Sequence, residues 1–404
     1  MSLVGISERT LPEKPLWTNT FLLLITANFA SYLSFYMLNP TLPIYIESIT
    51  GKQALSGLGM GVFFLSAVLF RPFAGRIVDT RQRKSVFLFG SSIFFISILA
   101  LNWAPTLLVL LLARFVQGFG WAYCNTAAGT LASDVIPKHR FAEGIGFYGL
   151  SLSIAMGIGP ALGLFLLQRY SFQLMFYFCA GSVLLSFLLA VIINHHSESK
   201  ESSRDKSSVA VKTVLLEKKA LLPSLVMFFQ CINTAAIIFF LALYGQFRHV
   251  PEIGTFFIVY AISITISRPI FGRLADRKGY DVVIVPGLIL CGLATGILYL
   301  AHTLPVFILA GLIYGFGFGA VQPATHALSV LNVSLERRGA ATATYFMALD
   351  LSLAIGSVLC GIVAQAVGYD VMYLFAILPT VVSLLVYLLF SKKINLKQSF
   401  KSSL

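Results

Sequence analysis

Twelve apolar stretches follow one another along the chain, at about 18–40, 54–74, 85–104, 106–131, 143–167, 171–194, 220–245, 253–271, 282–301, 304–331, 340–367 and 370–391. Each is long enough to cross a hydrocarbon core about 30 Å thick. In lipid the backbone must satisfy its own polar groups, so each run is predicted to be a helix. Composition agrees, with 57% hydrophobic residues and only 11% charged, where soluble domains carry about 25% charged residues. A water-soluble globular fold is excluded.

The charges that remain are placed, not scattered. The net charge of +13 would invite a nucleic-acid reading if the basic residues formed one folded face. Instead they sit in the gaps between apolar runs. An even number of spans puts both termini on one side. The segments on that side hold most of the 29 Lys and Arg residues, among them Arg76, Arg81, Arg83, Lys84, Lys138, Arg140, Arg273, Arg277, Lys278, Arg337 and Arg338. The opposite segments hold only Lys52, Arg169 and Arg248. The positive-inside rule then predicts a multi-pass protein of the cell membrane with both termini cytoplasmic. Residues 1–16 are polar and carry Glu8, Arg9, Glu13 and Lys14, so no removable signal peptide is expected and the first span should stay in the membrane. Cys124, Cys179, Cys231, Cys291 and Cys360 each lie alone in an apolar run, a pattern of packing residues and not of disulfides or metal ligands.

Residues 195–219, HHSESKESSRDKSSVAVKTVLLEKK, are polar, Ser-rich and charged and read as a cytoplasmic linker. On either side of it the chain repeats itself. One constant offset of 197 pairs Arg71 with Arg268, Pro72 with Pro269, Gly75 with Gly272, Arg76 with Arg273 and Asp79 with Asp276. It also pairs Gly118 with Gly315, Gly120 with Gly317, Arg140 with Arg337, Tyr148 with Tyr345 and Gly159 with Gly356. Matched Leu and Phe are cheap in an apolar chain, whereas matched Arg, Asp and Pro are not. The expected fold is therefore all-α, with 12 transmembrane helices in two pseudo-symmetric six-helix bundles, residues 1–194 and 220–404.

Four stretches carry a resemblance. Gly75-Arg76-Ile77-Val78-Asp79 with Arg81, Arg83 and Lys84 follows the second span, and Gly272-Arg273-Leu274-Ala275-Asp276-Arg277-Lys278-Gly279 follows the eighth. Arg114-Phe115-Val116-Gln117-Gly118-Phe119-Gly120 lies in the fourth span, Gly157-Ile158-Gly159-Pro160-Ala161-Leu162-Gly163 in the fifth, and Asn39-Pro40-Thr41-Leu42-Pro43 ends the first. Over nearly its whole length the chain resembles the major facilitator superfamily, and within it the twelve-helix drug:proton antiporter group. There are departures: Gln82 stands where the family loop has Gly, Tyr280-Asp281 replace the second basic pair, and the first span offers Asn28 and Asn39 where many relatives carry an acid. The resemblance implies a monomeric, cofactor-free transporter that exchanges a small-molecule substrate for protons. It implies that Gly75, Asp79, Arg83 and Asp276 belong to a conformational latch, that Arg114 takes part in proton coupling, and that Gly157, Gly159, Pro160 and Gly163 mark an exporter.

The residues supply chemistry of their own. Asp79 at a helix end can cap a neighbour or pair with Arg. Arg114 lies inside a span, where an unpaired charge costs at least about 2.5–3.5 kcal/mol, so it must face a cavity or a polar partner. Whether it couples protons or only clamps helices stays open. Asp350 is the carboxylate nearest the middle of an apolar run, since Glu47, Glu252, Asp134, Glu143 and Glu336 fall at span ends. Burial raises a carboxylate's pKa and a nearby cation lowers it, so approach to Arg114 or to water would load and release a proton. A permanently neutral Asp350 is the alternative. His326, with an ordinary pKa of about 6.5, is a candidate relay or a packing residue. Small residues at Gly157, Gly159 and Gly163 allow close helix approach, and Pro160 kinks its helix. Substrate candidates are the mid-span polar and aromatic side chains Asn28, Tyr32, Tyr36, Gln117, Trp121, Asn125, Tyr148, Gln230, Asn233, Gln322 and Tyr345, because transporter sites form near the midplane between repeats. No GxxxxGK[ST] phosphate loop occurs, so an ion gradient is the expected energy source. A dedicated exporter of one polar metabolite, sugar or metallophore remains as the alternative to a drug exporter. No constellation of acids, bases or ligands points to an enzyme.

Overall fold

The structure, a computed structural model, describes residues 15–193 and 217–399 except 105, 138–139, 332 and 335–336. Twelve of its helices are long and apolar enough to cross a membrane. These are α1 (Asn19–Thr50), α3 (Leu58–Thr80), α4 (Arg83–Leu101), α5 (Leu107–Val135), α6 (Phe141–Arg169) and α7 (Phe172–Ile192), then α8 (Leu221–Phe247), α9 (Gly254–Lys278), α10 (Asp281–Tyr299), α11 (Leu304–Leu331), α12 (Arg338–Val367) and α13 (Tyr369–Ser399). The one-turn helix α2 (Gln53–Ser56) leads into α3.

The boundaries follow from capping chemistry. Thr18 accepts from the Phe21 amide at 3.2 Å and opens α1, and Ser171 accepts from Leu174 at 3.3 Å and opens α7. Gly51, at φ 64°, closes α1 in the left-handed conformation that lacks a Cβ penalty. The first apolar run was expected to end near residue 40, yet α1 continues through Pro40 and Pro43 to Thr50. Neighbouring helices tolerate such prolines by packing around them, and here Gly163 of α6 lets the backbone of Met37 come close: a Cβ at Gly163 would sit 2.9 Å from the Met37 carbonyl oxygen.

The repeat read from the sequence reappears in the packing. In the first set α1 packs on α6 and α7, α5 on α3 and α4, and α4 on α7. In the second α8 packs on α12 and α13, α11 on α9 and α10, and α10 on α13. Matched glycines make matched contacts: a Cβ on Gly118 would meet the Phe63 carbonyl oxygen at 2.2 Å, and one on Gly315 the Tyr260 carbonyl oxygen at 2.7 Å. The linker expected over 195–219 lies outside the described residues up to 216. Its end, however, is docked: Glu217 is buried, pairs with Arg337 at 2.8 Å and donates its backbone amide to the Thr344 hydroxyl at 2.9 Å. All five cysteines are buried and free.

The two sets touch through α3 and α12, α6 and α9, α1 and α8, and α2 and α12. These contacts concentrate on the side away from the termini. Tyr369 donates to the Glu47 carboxylate, and the Ala54 amide donates to Gln365 at 2.9 Å. A Cβ on Gly57 would fall 1.8 Å from the Ser357 carbonyl oxygen, and one on Gly361 3.0 Å from that of Ala54. Toward the termini, Gly75, Gly146, Gly272 and Gly339 face open space. The two sets are therefore clamped together at their far ends and parted toward the termini.

Because only hydrogen fits at position 57, Gly57→Leu should hold the far ends apart. A Cys introduced at Ser357, which is fully buried, should resist a membrane-impermeant maleimide in the otherwise unaltered protein and react readily beside Gly57→Leu. Equal labelling in both backgrounds would contradict this clamp.

Candidate functional site

A cavity of about 180 Å³ lies between the two sets at mid-span, lined by both. Its aromatic wall comes mainly from α1, which turns Tyr32, Phe35 and Tyr36 toward it, and from Trp121 of α5. Trp121 stacks on Phe35 with ring centroids 4.5 Å apart and meets Tyr32 edge-on at 5.0 Å. Asn125, one turn beyond Trp121, donates to the Tyr32 hydroxyl. Phe318, Phe346 and Ile238 face them from the other set. Asn39 contributes a buried side-chain oxygen with no partner.

Three charges stand in this wall: Arg71, Arg268 and Asp350. Asp350 of α12 receives a hydrogen bond from Arg71 of α3, an ion pair that joins the two sets. The sequence pointed to Arg114 as the cation for Asp350, and here the structure differs. Arg114 is 2% exposed and turned into the α3–α5 contact. Its Nε donates to the Gly59 carbonyl at 3.0 Å, one terminal nitrogen donates to Gln117, the other approaches the Met60 sulfur at 3.0 Å, and Phe63 lies 4.4 Å beneath the guanidinium. In this conformation Arg114 is a helix clamp. It holds α5 to α3 through bonds that a buried guanidinium must make.

Arg268 of α9 is the repeat mate of Arg71. It donates to Ser153 of α6 at 3.1 Å and to Gln322 of α11 at 3.2 Å. Neither arginine was singled out as a site residue, although a signal existed. Of the 29 basic residues, Arg71, Arg114 and Arg268 are the ones that fall inside spans, and two of them match at the repeat offset.

Of the substrate candidates, Tyr32, Tyr36, Trp121, Asn125 and Gln322 line the cavity. The others serve packing. Tyr148 donates to Asn28 and Asn28 to Ser151, both at 2.9 Å, which ties α1 to α6. Asn233 donates to Thr295 at 3.0 Å and to the Ala376 carbonyl at 2.7 Å, while Tyr314 donates to Asn233 at 2.9 Å and Gln230 donates to Tyr314 at 3.2 Å. That knot fixes α8, α10, α11 and α13 together. Gln117 serves Arg114, and Tyr345 donates at 2.9 Å to the Gln322 carbonyl, steadying a cavity residue from behind. His326 is also off the cavity wall, with its ring against Tyr345 at 5.0 Å and a buried Nε2 that has no partner.

The switch candidates divide similarly. A Cβ on Gly157 would meet the Ala261 side chain of α9 at 2.6 Å, and one on Gly159 the Tyr36 side chain of α1 at 2.7 Å. With buried Pro160 and with Gly163, α6 thus presents a close-packed seam to α1 on one face and to the other set on another. Gly75 faces open space. Arg83 pairs with Asp134 of α5, a contact within the first set. Asp276 is exposed, and the side chain of Asp79 lies outside those described.

Removing Arg114 leaves the Gln117 side-chain oxygen buried without a donor, at a cost of about 1–3 kcal/mol. Arg114→Met should therefore lower the melting temperature of the detergent-purified protein, read by size-exclusion fluorescence. An unchanged melting temperature would show that the clamp is dispensable.

Comparison with known proteins extends this geometry. A sequence profile of the Major Facilitator Superfamily matches residues 24–251 and 224–402. An uncharacterized MFS-type transporter of Methanocaldococcus jannaschii is 27% identical over 384 residues, which span 92% of this chain and 97% of that one. The multidrug resistance protein MdtG of Salmonella dublin is 26% identical over 319 residues, 76% of this chain and 79% of its own. Among solved structures, a bacterial homologue of the human lysosomal transporter Spinster, in an inward-facing and unoccupied conformation, superposes with a TM-score of 0.78 at 16% identity, covering 94% of this chain and 98% of its own.

Proposed function

Because the chain belongs to the Major Facilitator Superfamily, a family of membrane transporters and not of enzymes, we propose that it exports a small amphiphilic molecule in exchange for protons by alternating access. The Arg71–Asp350 pair carries this reading. It is a titratable contact between the two sets, set in the wall of the cavity that cargo would occupy. Proton entry and a change in how the sets meet are then one event, since protonating Asp350 removes the charge that holds Arg71 across the gap.

The positive-inside charge pattern supports placing the termini in the cytoplasm, which makes this conformation inward-open. With its ion pair formed, it is the state ready to take cargo from the cell. Cargo and proton then exchange after the far side opens, and a protonated Asp350 accompanies the return. The close contact of Gly157 with Ala261 supplies the surface over which α6 slides on α9, while Gly159 and Gly163 hold α6 to α1 within the first unit. The multidrug resistance protein among the relatives and the aromatic wall favour an amphiphile, as pockets that are mostly apolar with a few placed polar groups do. We take the protein to act as a monomer in the cell membrane, its two six-helix units rocking about the cavity. One charge crossing 100 mV supplies about 2.3 kcal/mol, enough at about 1.4 kcal/mol per tenfold for a gradient of roughly fifty-fold.

The test is substrate-dependent proton movement in proteoliposomes, followed with a pH-sensitive dye across lipophilic cations, neutral drugs, organic anions and metabolites. Asp350→Asn, which cannot take up a proton in this range, should abolish the coupled proton signal for any substrate that elicits one. Proton movement that survives in Asp350→Asn would contradict the assignment of coupling to this residue.

A further inference from the structure

The two sets place matched arginines in the cavity wall, but what faces each arginine differs by a charge. The offset of 197 that pairs Arg71 with Arg268 also pairs Asp350 with Ser153. The structure brings both pairs together across equivalent contacts. Arg71 on α3 meets Asp350 on α12, and Arg268 on α9 meets Ser153 on α6 at 3.1 Å. In the first crossing the guanidinium finds a carboxylate. In the second it finds a hydroxyl and, from Gln322 at 3.2 Å, an amide oxygen.

With Asp350 ionised, the cavity wall holds two guanidiniums and one carboxylate. Among the described residues no second Asp or Glu lines it. A cation withdrawn from water without a counter-charge is costly, and that cost is relieved by an anion seated beside it. Arginine is suited to this, because its planar fork matches the two oxygens of a carboxylate.

Resting on the reading of this cavity as the cargo path, we propose that the cargo carries an anionic group, a carboxylate in its simplest form, which seats on Arg268 in the place that Asp350 fills for Arg71. The apolar body of the cargo lies against Tyr32, Tyr36, Phe318 and Phe346, all in the same wall. Because the seat is on the other arginine, cargo does not compete with Asp350 for Arg71 in the conformation seen here. The same excess charge disfavours lipophilic cations, which makes the cavity selective by repulsion as well as attraction. An anion leaving a cell whose interior is negative moves with the membrane potential, in the direction of export.

Equilibrium dialysis of the full chain in phosphatidylcholine nanodiscs tests this with a matched pair of probes, radiolabelled 2-naphthoate and its neutral counterpart 2-naphthamide. The acid should bind about tenfold more tightly than the amide or better. Arg268→Gln should bring the acid down to the level of the amide while leaving the amide within about twofold of its original affinity. Ser153→Asp keeps the cation and supplies an internal counter-ion in the arrangement of the Arg71–Asp350 pair, so it should erase the preference equally. That variant carries the test if Arg268→Gln fails to fold. Equal affinity of the two probes in the unaltered protein, no binding of naphthoate, or a preference that survives both variants overturns the proposal. Dialysis reads no proton movement. A failure of coupling through Asp350 and a failure of the anion seat are therefore seen in separate experiments.

Discussion

A carboxylate and a guanidinium taken out of water each cost several kcal/mol unless they meet with good geometry, and in this protein they meet across the seam between two six-helix sets. Asp350 comes from α12 and Arg71 from α3, so neither set can satisfy its charge alone. The pair sits where the seam changes character. On the far side, hydrogen-only contacts at Gly57 and Gly361 and the tie between Tyr369 and Glu47 close the sets together. Toward the termini, Gly75 and Gly272 face open space. The cavity lies against the pair, and on the proposed function its charge state links occupancy to the contact of the two sets.

Pseudo-symmetry explains most of the architecture, and its exceptions explain the site. The helix contacts of one set recur in the other, down to paired close approaches at Gly118 and Gly315. What departs from symmetry does chemistry or special packing: Asp350 against Ser153, and Arg114 against Gly311. The first departure leaves Arg268 facing neutral partners. The second gives the first set a buried guanidinium clamp for which the second set has no counterpart.

Much of this was legible in the chain. Run length and polarity fix twelve spans because the bilayer imposes one length and forbids unsatisfied backbone, and the matched Arg, Asp and Pro residues reveal the repeat. Asp350 stood out as the mid-span carboxylate. Its partner in this conformation was not legible, because spacing along one helix says nothing about which cation a neighbouring helix presents: Arg114, the more conspicuous motif residue, faces α3 and Gln117, whereas Arg71 reaches the seam. For the same reason Asn28, Asn233 and Gln230, read from the sequence as substrate groups, form interhelical ties off the cavity wall in this conformation. A polar side chain in an apolar run must find a partner, and only the fold decides whether that partner is a helix or a cavity. The one-turn helix α2 and the continuation of α1 through two prolines also depend on tertiary packing that local propensity does not encode.

The central claim is that the Arg71–Asp350 pair holds the two sets in the conformation seen here. Electron–electron resonance distances between spin labels on the far ends of α2 and α12, with a second label pair at the termini ends of α3 and α12, test it most directly. The account predicts that Asp350→Ala moves population toward longer far-end and shorter termini-end distances, and that the charge swap Arg71→Asp with Asp350→Arg restores the original distributions. Distances that do not respond to Asp350→Ala would contradict it, because the pair would then be a passive contact of a seam held by other forces.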